Sequence, residues 1–162
     1  ADPSAEGLSE MTILASDFIS RFGIKPKAAM ISHSIFGSAN TESAKKVRKA
    51  ITLLRKSAPD LEVDGEMNIH IALDEEVRNR LFPNCMLTGQ ANLFVFPNLD
   101  AANITYKLMK ELDKSLSIGP ILMGLKYPAH ILQLGASVEE IVNMAAIASI
   151  NAQEKQKQKS SK

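Results

Sequence analysis

A polar loop over residues 32–38 is the first candidate for chemistry. It reads Ser-His-Ser-Ile-Phe-Gly-Ser and follows a short apolar run. A doubly wound sheet binds its ligand beyond the carboxyl end of a strand, where free N–H groups of the next helix attract anions. Ser32 and Ser34 are therefore candidate ligands for a phosphate-bearing molecule. With one glycine and no Walker sequence the signal is weak, and an ordinary strand-to-helix connection is the alternative.

The histidines and the single cysteine suggest no further reaction centre. His33 lies between two serines, but a nucleophile elbow is absent, and adjacent side chains of an extended segment point to opposite faces. The three histidines share no metal-ligand spacing. Cys85 stands alone, which excludes an internal disulfide and favours a reducing compartment. We therefore expect a cytoplasmic protein and no metal site.

Acidic and amide side chains form two further candidate groups. Asp64 and Glu66 flank Gly65 and could act as an acid and base pair, but Asp-Gly is typical of a turn, which we predict here. Asn103 and Lys107 are four residues apart on one predicted helical face, so both could project toward a common cleft. A solvated helix face is the alternative for this second pair.

The elements that must position these residues alternate between helix and strand. Apolar residues at spacings of three and four predict amphipathic helices, and short apolar runs between them predict strands. This alternation predicts an α/β fold with three layers, in which a mainly parallel sheet has helices on both faces. The predicted strands are residues 28–31, 61–63, 93–96, 118–125 and 130–132, and the apolar stripes of the helices include Leu8, Met11, Phe22, Val47, Val77, Leu81, Ile104, Leu108, Leu112 and Val142.

Length and charge limit the classes of partner. A chain of 162 residues is long enough for one core, and its net charge of +1 does not favour a nucleic acid or an anionic membrane. No apolar run approaches 18 residues, so no membrane span is predicted.

We expect a domain over residues 1–152 and a disordered Lys, Gln and Ser tail over residues 153–162. The start without methionine suggests a piece cut from a longer protein.

Several linked motifs resemble the phosphate acetyl/butyryltransferase family. They are Phe-Pro-Asn-Leu with Asn-Ile-x-Tyr-Lys in residues 96–107, Gly-Pro-Ile-Leu-Met-Gly in residues 119–124, and the segments 29–34, 64–66 and 137–142. The resemblance covers nearly all of residues 1–152. It implies a phosphotransacetylase and isocitrate-dehydrogenase-like lobe, a cleft shared with a second lobe, and pairing of subunits as a homo-oligomer.

Within that family, the C-terminal region of bacterial NADP-dependent malic enzymes is most similar. Residues 65–67, 121–124 and 141–145 carry this likeness. The resemblance implies a parent chain that oxidises and decarboxylates malate to pyruvate with NADP and a divalent metal, both held outside this fragment. The rest of the parent chain and acetyl-CoA, or a related acyl-CoA, are the partners that it implies.

The resemblance also marks residues that depart from active phosphotransacetylases. Gln133 and Leu134 stand where those enzymes are expected to have Ser-Arg, and Glu140 stands where a proposed aspartate base lies. A leucine cannot donate a hydrogen bond, so no catalytic residue is assigned beyond Glu140 by resemblance.

The remaining family positions suggest a ligand site without strong catalysis. By resemblance the ligand-binding residues are Ser32, Ser34, Lys107 and Gln133. We therefore predict a non-catalytic domain for acetyl-CoA sensing and oligomerisation. The alternative is an active phosphate acetyltransferase that converts acetyl-CoA and phosphate to acetyl phosphate and CoA, with an arginine supplied from elsewhere.

Overall fold

The computed structural model describes residues 1–113 and 117–160. The chain forms two compact units, Ala1–Tyr106 and Lys107–Lys162, which we call unit 1 and unit 2. The elements in chain order are α1 (Ala5–Ser20), β1 (Lys27–Ile31), α2 (Glu42–Ser57), β2 (Glu62–Met67), α3 (Ile69–Leu73), α4 (Glu75–Leu81), β3 (Leu93–Val95), α5 (Leu99–Asp113) and α6 (Val138–Ser160).

Unit 1 contains a parallel sheet in the order β2-β1-β3. Alternate residues of the central strand enter two different apolar clusters. Ala28 and Met30 pack with residues of α1 and α2, whereas Ala29 and Ile31 pack with residues of α3 and the loop before β3. Both faces of the sheet are therefore covered, as expected of a parallel sheet. The predicted α/β class and parallel pairing are confirmed.

Polar side chains cap four of the helices at their starts. Ser4, Thr41, Asp74 and Asn98 each accept a hydrogen bond from the backbone N–H three residues later, at 3.2, 3.3, 2.9 and 2.9 Å. Each bond satisfies one of the N–H groups that a helix leaves free at its start. These short-range signals can be read from sequence because both partners lie within one turn.

The buried stripe predicted for α1 is partly wrong. Met11 and Phe22 are about half exposed, while Leu8, Thr12 and Ser16 are buried. The Thr12 hydroxyl donates to the carbonyl oxygen of Leu8 at 2.7 Å, so it can be buried without loss of its hydrogen bond. A periodicity that counts only apolar residues misses such a face.

The core residue of α4 was also predicted wrongly. Leu81 is 54% exposed, and Arg78 is fully buried instead. The guanidinium of Arg78 donates to four backbone carbonyl oxygens between residues 71 and 89. Burial of this charge is tolerated because these carbonyl oxygens replace the water that it loses.

The turn predicted at Asp64-Gly65-Glu66 is wrong, because these residues lie within β2. Gly65 has φ +144°, and a Cβ at this position would lie 2.6 Å from the carbonyl oxygen of Met30. The glycine is therefore required by the close approach of the neighbouring strand β1.

Unit 2 differs from the prediction in two places. The segments 118–125 and 130–132 are not strands, and the described residues between α5 and α6 contain no strand. Two glycines and two prolines in the segment 117–128 interrupt its apolar run. Helix α6 continues through Ser160, across most of the predicted tail, because Gln, Glu and Lys are good helix formers. Residues 161 and 162 of that tail lie outside the described residues.

The expected buried stripe of α5 is absent as well. Ile104, Leu108 and Leu112 are all more than half exposed, although their spacing predicts a buried face. No helix within the described part of the chain is both long and apolar enough to cross a membrane.

Candidate functional site

The predicted serine loop follows β1, and its hydroxyls bond within unit 1. Ser32 and Ser34 are both buried. The Ser32 hydroxyl accepts from the backbone N–H of Ser34 at 3.1 Å. The Ser34 hydroxyl donates to Glu66 Oε1 at 2.7 Å and accepts from the N–H of Ala39 at 2.9 Å. This geometry agrees with a strand-to-helix connection whose hydroxyls satisfy nearby groups.

Glu66 holds this loop in place. Besides Ser34, its Oε1 accepts from the N–H of Gly37 at 2.9 Å and from Arg48 Nη1 at 2.7 Å. Burial raises the pKa of Glu66, but the hydrogen bonds from Ser34, Gly37 and Arg48 outweigh it and hold the pKa below its usual value. Glu66 is thus an ionised anchor, and not a general acid.

Asp64 is a second anchor on the same face of β2. Its Oδ1 accepts from Arg55 Nη2 at 3.0 Å, and its Oδ2 accepts from the backbone N–H of Met86 at 2.7 Å. Asp64 and Glu66 therefore bind separate arginines of α2, and they do not form an acid and base pair with each other. The seven-residue spacing of Arg48 and Arg55, two turns apart on one helix face, is the signal that could have indicated this pairing.

Cys85 lies near this anchor and has the environment of an inert thiol. Burial and the nearby carboxylate of Asp64 raise its pKa to about 11. A thiol with so high a pKa carries almost no thiolate at neutral pH, so Cys85 is a poor nucleophile.

Unit 2 contains a small cavity of about 110 Å³, which is lined by most of the other predicted site residues. Gln133, Leu134 and Glu140 line it together with Lys110. Lys107, by contrast, is exposed and is not among the residues that line this cavity. The prediction missed Lys110, which follows Lys107 by three residues and so lies close to the same helix face.

The Glu140 carboxylate accepts hydrogen bonds from two donors at this cavity. Its Oε1 accepts from Lys110 Nζ at 2.8 Å, and its Oε2 accepts from the backbone N–H of Ser137 at 2.8 Å. The Ser137 hydroxyl in turn accepts from the N–H of Glu140 at 3.2 Å, so the two residues form a capping box at the start of α6. The bonds from Lys110 and Ser137 hold the pKa of Glu140 below its usual value. The side chain is therefore an ionised cap.

The residue beside Gln133 offers this cavity no polar group. Leu134 is fully exposed, and Gly135 follows with φ +87°. The cavity is smaller than the roughly 300–1000 Å³ typical of sites that enclose a whole ligand. Lys110 and the Gln133 amide can donate hydrogen bonds, so the residues present fit one polar end of a ligand, such as an acyl or phosphate group.

The structure brings Ser32 and Ser34 together with Glu66 in unit 1, and Gln133 and Leu134 together with Glu140 in unit 2. Across the described residues, no group of three or more His, Cys, Asp or Glu side chains could hold a metal ion.

Comparison with known proteins agrees with these motifs. The model of the phosphate acetyl/butaryl transferase family matches residues 1–149. The chain belongs to this family. A protein named NAD-dependent malic enzyme from Rhizobium meliloti (strain 1021) is 52% identical over 150 residues, which are 93% of this chain and 20% of that protein.

Family members named as transferases are also similar. A phosphate acetyltransferase from Acetivibrio thermocellus is 43% identical over 153 residues, which cover 94% of this chain and 46% of that protein. The crystal structure of a phosphotransacetylase from Streptococcus pyogenes matches with a TM-score of 0.89 at 38% identity, over 94% of this chain and 46% of that one. The chain thus spans between a fifth and about half of the length of these relatives.

These findings confirm the predicted family and the phosphotransacetylase-like fold. They also confirm that both malic enzymes and phosphate acetyltransferases carry a region similar to this chain.

Proposed function

We propose that this chain is the C-terminal phosphotransacetylase-like domain of a malic enzyme. In this proposal the domain does not catalyse acetyl transfer, but binds acetyl-CoA and changes the rate of malate oxidation elsewhere in the parent chain. It is also the region through which subunits associate. The 52% identity to a malic enzyme supports the parent assignment.

The state of Glu140 and Leu134 is the observation that carries this proposal. Both oxygens of Glu140 already accept hydrogen bonds, and a lowered pKa makes a carboxylate a weaker base. Leu134 stands where the resemblance expects an arginine, and it can neither carry charge nor donate. Loss of a single donor to a developing oxyanion costs about 10²–10³ in rate, so acetyl transfer should be strongly impaired.

Binding of an acyl-CoA requires hydrogen-bonding and charged groups, but not the arginine that catalysis of acetyl transfer would require. Gln133 offers an amide donor and acceptor in the cavity of unit 2, and Lys107 offers an exposed ammonium. In the proposal these two groups of unit 2 bind the acyl-CoA. Because a ligand shifts an equilibrium only by its differential affinity, acetyl-CoA must bind one state of the parent enzyme more tightly than another.

One observation favours a second candidate, an active phosphate acetyltransferase. Lys110 lies in the same cavity as Gln133 and Glu140 and could supply the positive charge that an arginine supplies in other members. In both candidates, the dinucleotide and the divalent metal of a malic enzyme would be held by residues outside this chain.

The experiment uses the full-length protein that carries this chain. Acetyl phosphate formation from acetyl-CoA and phosphate is measured first, and then malate oxidation with and without acetyl-CoA. We expect no measurable transferase turnover, saturable acetyl-CoA binding, and a changed rate of malate oxidation. Light scattering should show an oligomer. Absence of any acetyl-CoA binding would contradict the sensing role.

A gain-of-function variant separates the two candidates. Replacing both Gln133→Ser and Leu134→Arg should raise transferase activity at least about tenfold, if the missing donor limits the rate. Ile131→Arg is the matched control, because Ile131 is also exposed but does not line the cavity. Wild-type turnover that is lost in Lys110→Ala and kept in Lys126→Ala would instead support the active transferase.

A further inference from the structure

A second cavity, of about 530 Å³, lies in unit 1 beside β2. Part of its lining is the face of α2 that carries Arg48, Ile51 and Arg55, and a second wall is formed by residues 81–85. Its volume is within the range of about 300–1000 Å³ that is typical of small-molecule sites. None of the residues assigned to acyl-CoA binding lines it.

Buried carboxylates fix the two arginines of this cavity. The side chains of Asp64 and Glu66 are 3% and 1% exposed, whereas those of their partners Arg55 and Arg48 are 59% and 32% exposed. Arg48 also donates to Ala39 and Asn40, whereas Arg55 is held through Nη2 by Asp64 and keeps more than half of its side chain exposed. A planar guanidinium fixed in this way can bind a carboxylate with its other N–H groups, at little further cost in side-chain entropy.

The wall formed by residues 81–85 is largely apolar, and Phe36 packs against it. The rings of Phe36 and Phe82 lie with their centroids 4.5 Å apart, and Leu81 and Pro83 continue the same wall. Such a wall favours a ligand with a hydrocarbon body, because water leaves both surfaces on binding.

A third lining residue, Glu66 of β2, carries a polar atom without a partner. Glu66 Oε2 is buried and has no hydrogen-bond partner among the residues that the structure describes. Buried carboxylate oxygens are nearly always hydrogen-bonded, so this atom indicates a missing donor. Because Glu66 also lines the cavity, a ligand hydroxyl is the candidate donor.

We propose that this cavity binds a small hydroxy-carboxylic acid with an apolar body. Its carboxylate pairs with Arg55, its hydrocarbon part contacts Phe82 and Leu81, and its hydroxyl donates to Glu66. The site is separate from the proposed acyl-CoA residues and does not depend on that function.

The test uses the full-length protein and two matched probes, 3-hydroxyhexanoate and hexanoate, with inorganic phosphate as an anion that lacks an apolar body. Binding is followed by isothermal titration calorimetry and by saturation-transfer NMR. We expect both acids to bind saturably, 3-hydroxyhexanoate several-fold more tightly, and phosphate not to bind here. Arg55→Gln should weaken binding about tenfold or more, because a charge-assisted bond is lost.

Two control variants keep the result interpretable. Arg80→Gln, on exposed α4 surface outside the cavity, should leave binding unchanged. Leu81→Asp places a negative charge on the apolar wall and should abolish binding, whereas Leu73→Asp, also exposed but outside the cavity, should not.

Several outcomes would overturn the proposal. These are no saturable signal from either acid, equal binding by Arg55→Gln and Arg80→Gln, or a change of oligomer mass in Arg55→Gln, which would assign this surface to a subunit contact. The response to acetyl-CoA should be unchanged in Arg55→Gln. Failure of this site and failure of the proposed acetyl-CoA function are therefore distinguished by separate measurements.

Discussion

The two units differ in which side chains they bury. Unit 1 buries the charged groups Asp64, Glu66 and Arg78 in addition to two apolar clusters. Among the described residues of unit 2, only Met144, Ile147 and Asn151 are buried, while Leu134 and many other large apolar residues are exposed. Charged groups are thus buried supports in unit 1, whereas the carboxylate of Glu140 in unit 2 caps a helix near solvent.

This contrast shows how backbone groups permit the burial of charge. The loop after β1 supplies the N–H of Gly37 to Glu66, and helix α3 supplies the C=O groups of Ile71 and Ala72 to Arg78. These groups replace hydrogen bonds to water that the buried charges lose. The described residues of unit 2 contain no strand, and its corresponding carboxylate, Glu140, bonds at a helix start where water also has access.

The largest effect that the contrast predicts is at Arg78. Arg78→Met keeps much of the side-chain volume but removes the hydrogen bonds that Arg78 donates to four backbone carbonyl oxygens, so the free energy of unfolding of unit 1 should fall by about 3 kcal/mol or more. Chemical denaturation followed by circular dichroism measures this change. Arg80→Met, exposed on the same helix, is the control and should change it by less than about 0.5 kcal/mol. Equal effects of the two variants would show that buried charge does not support unit 1.

A smaller effect with a distinct pH dependence is expected at Glu66. Glu66→Gln removes the charge that Arg48 and the serine loop bind, and should cost about 2 kcal/mol at neutral pH. The pKa of Glu66 is lowered in the folded state, so its stabilising contribution is complete above the unfolded pKa and is lost as the pH falls through the folded pKa.

The pH series then compares the variant with the wild type. Below about pH 4.5, the wild type should lose stability more steeply than Glu66→Gln as the solution is acidified. The exposed Glu76→Gln should follow the wild type. Parallel curves for wild type and Glu66→Gln would contradict the role of Glu66 as an ionised anchor.

The smallest effect is expected in unit 2. Glu140→Gln removes an ion pair with Lys110 but keeps an oxygen that can accept from the N–H of Ser137. Because ion pairs near solvent contribute little, unfolding midpoints should hardly change, and they should become less sensitive to salt. Thermal denaturation at low and high ionic strength checks this. A loss as large as that of Glu66→Gln would remove the distinction between the two units.

The site residues show where sequence reasoning was limited. Glu140 and Ser137 could be paired from sequence, because a capping box joins residues three apart. The bond between Ser34 and Glu66 joins residues 32 apart and depends on β1 lying beside β2. No periodicity within one segment contains that information, so Asp64 and Glu66 were interpreted as parts of a turn.

The apolar patterns also show a limit of sequence reasoning, because they do not determine whether a helix face is buried. The spacing of Ile104, Leu108 and Leu112 predicted a helix, which is confirmed, and a buried face, which is wrong. Spacing determines which side chains share a face of a helix, but burial needs a second surface. Only the tertiary structure decides whether that surface is present.

The sequence alone determined the family, the α/β class and the absence of an arginine at Leu134, because each depends on residue identity or on patterns within short segments. Tertiary structure decided that β2 contains Gly65, that Arg78 is the buried residue of α4, and that residues 117–137 form no strand. These features depend on contacts between distant segments, whose energies are comparable to local preferences and can override them.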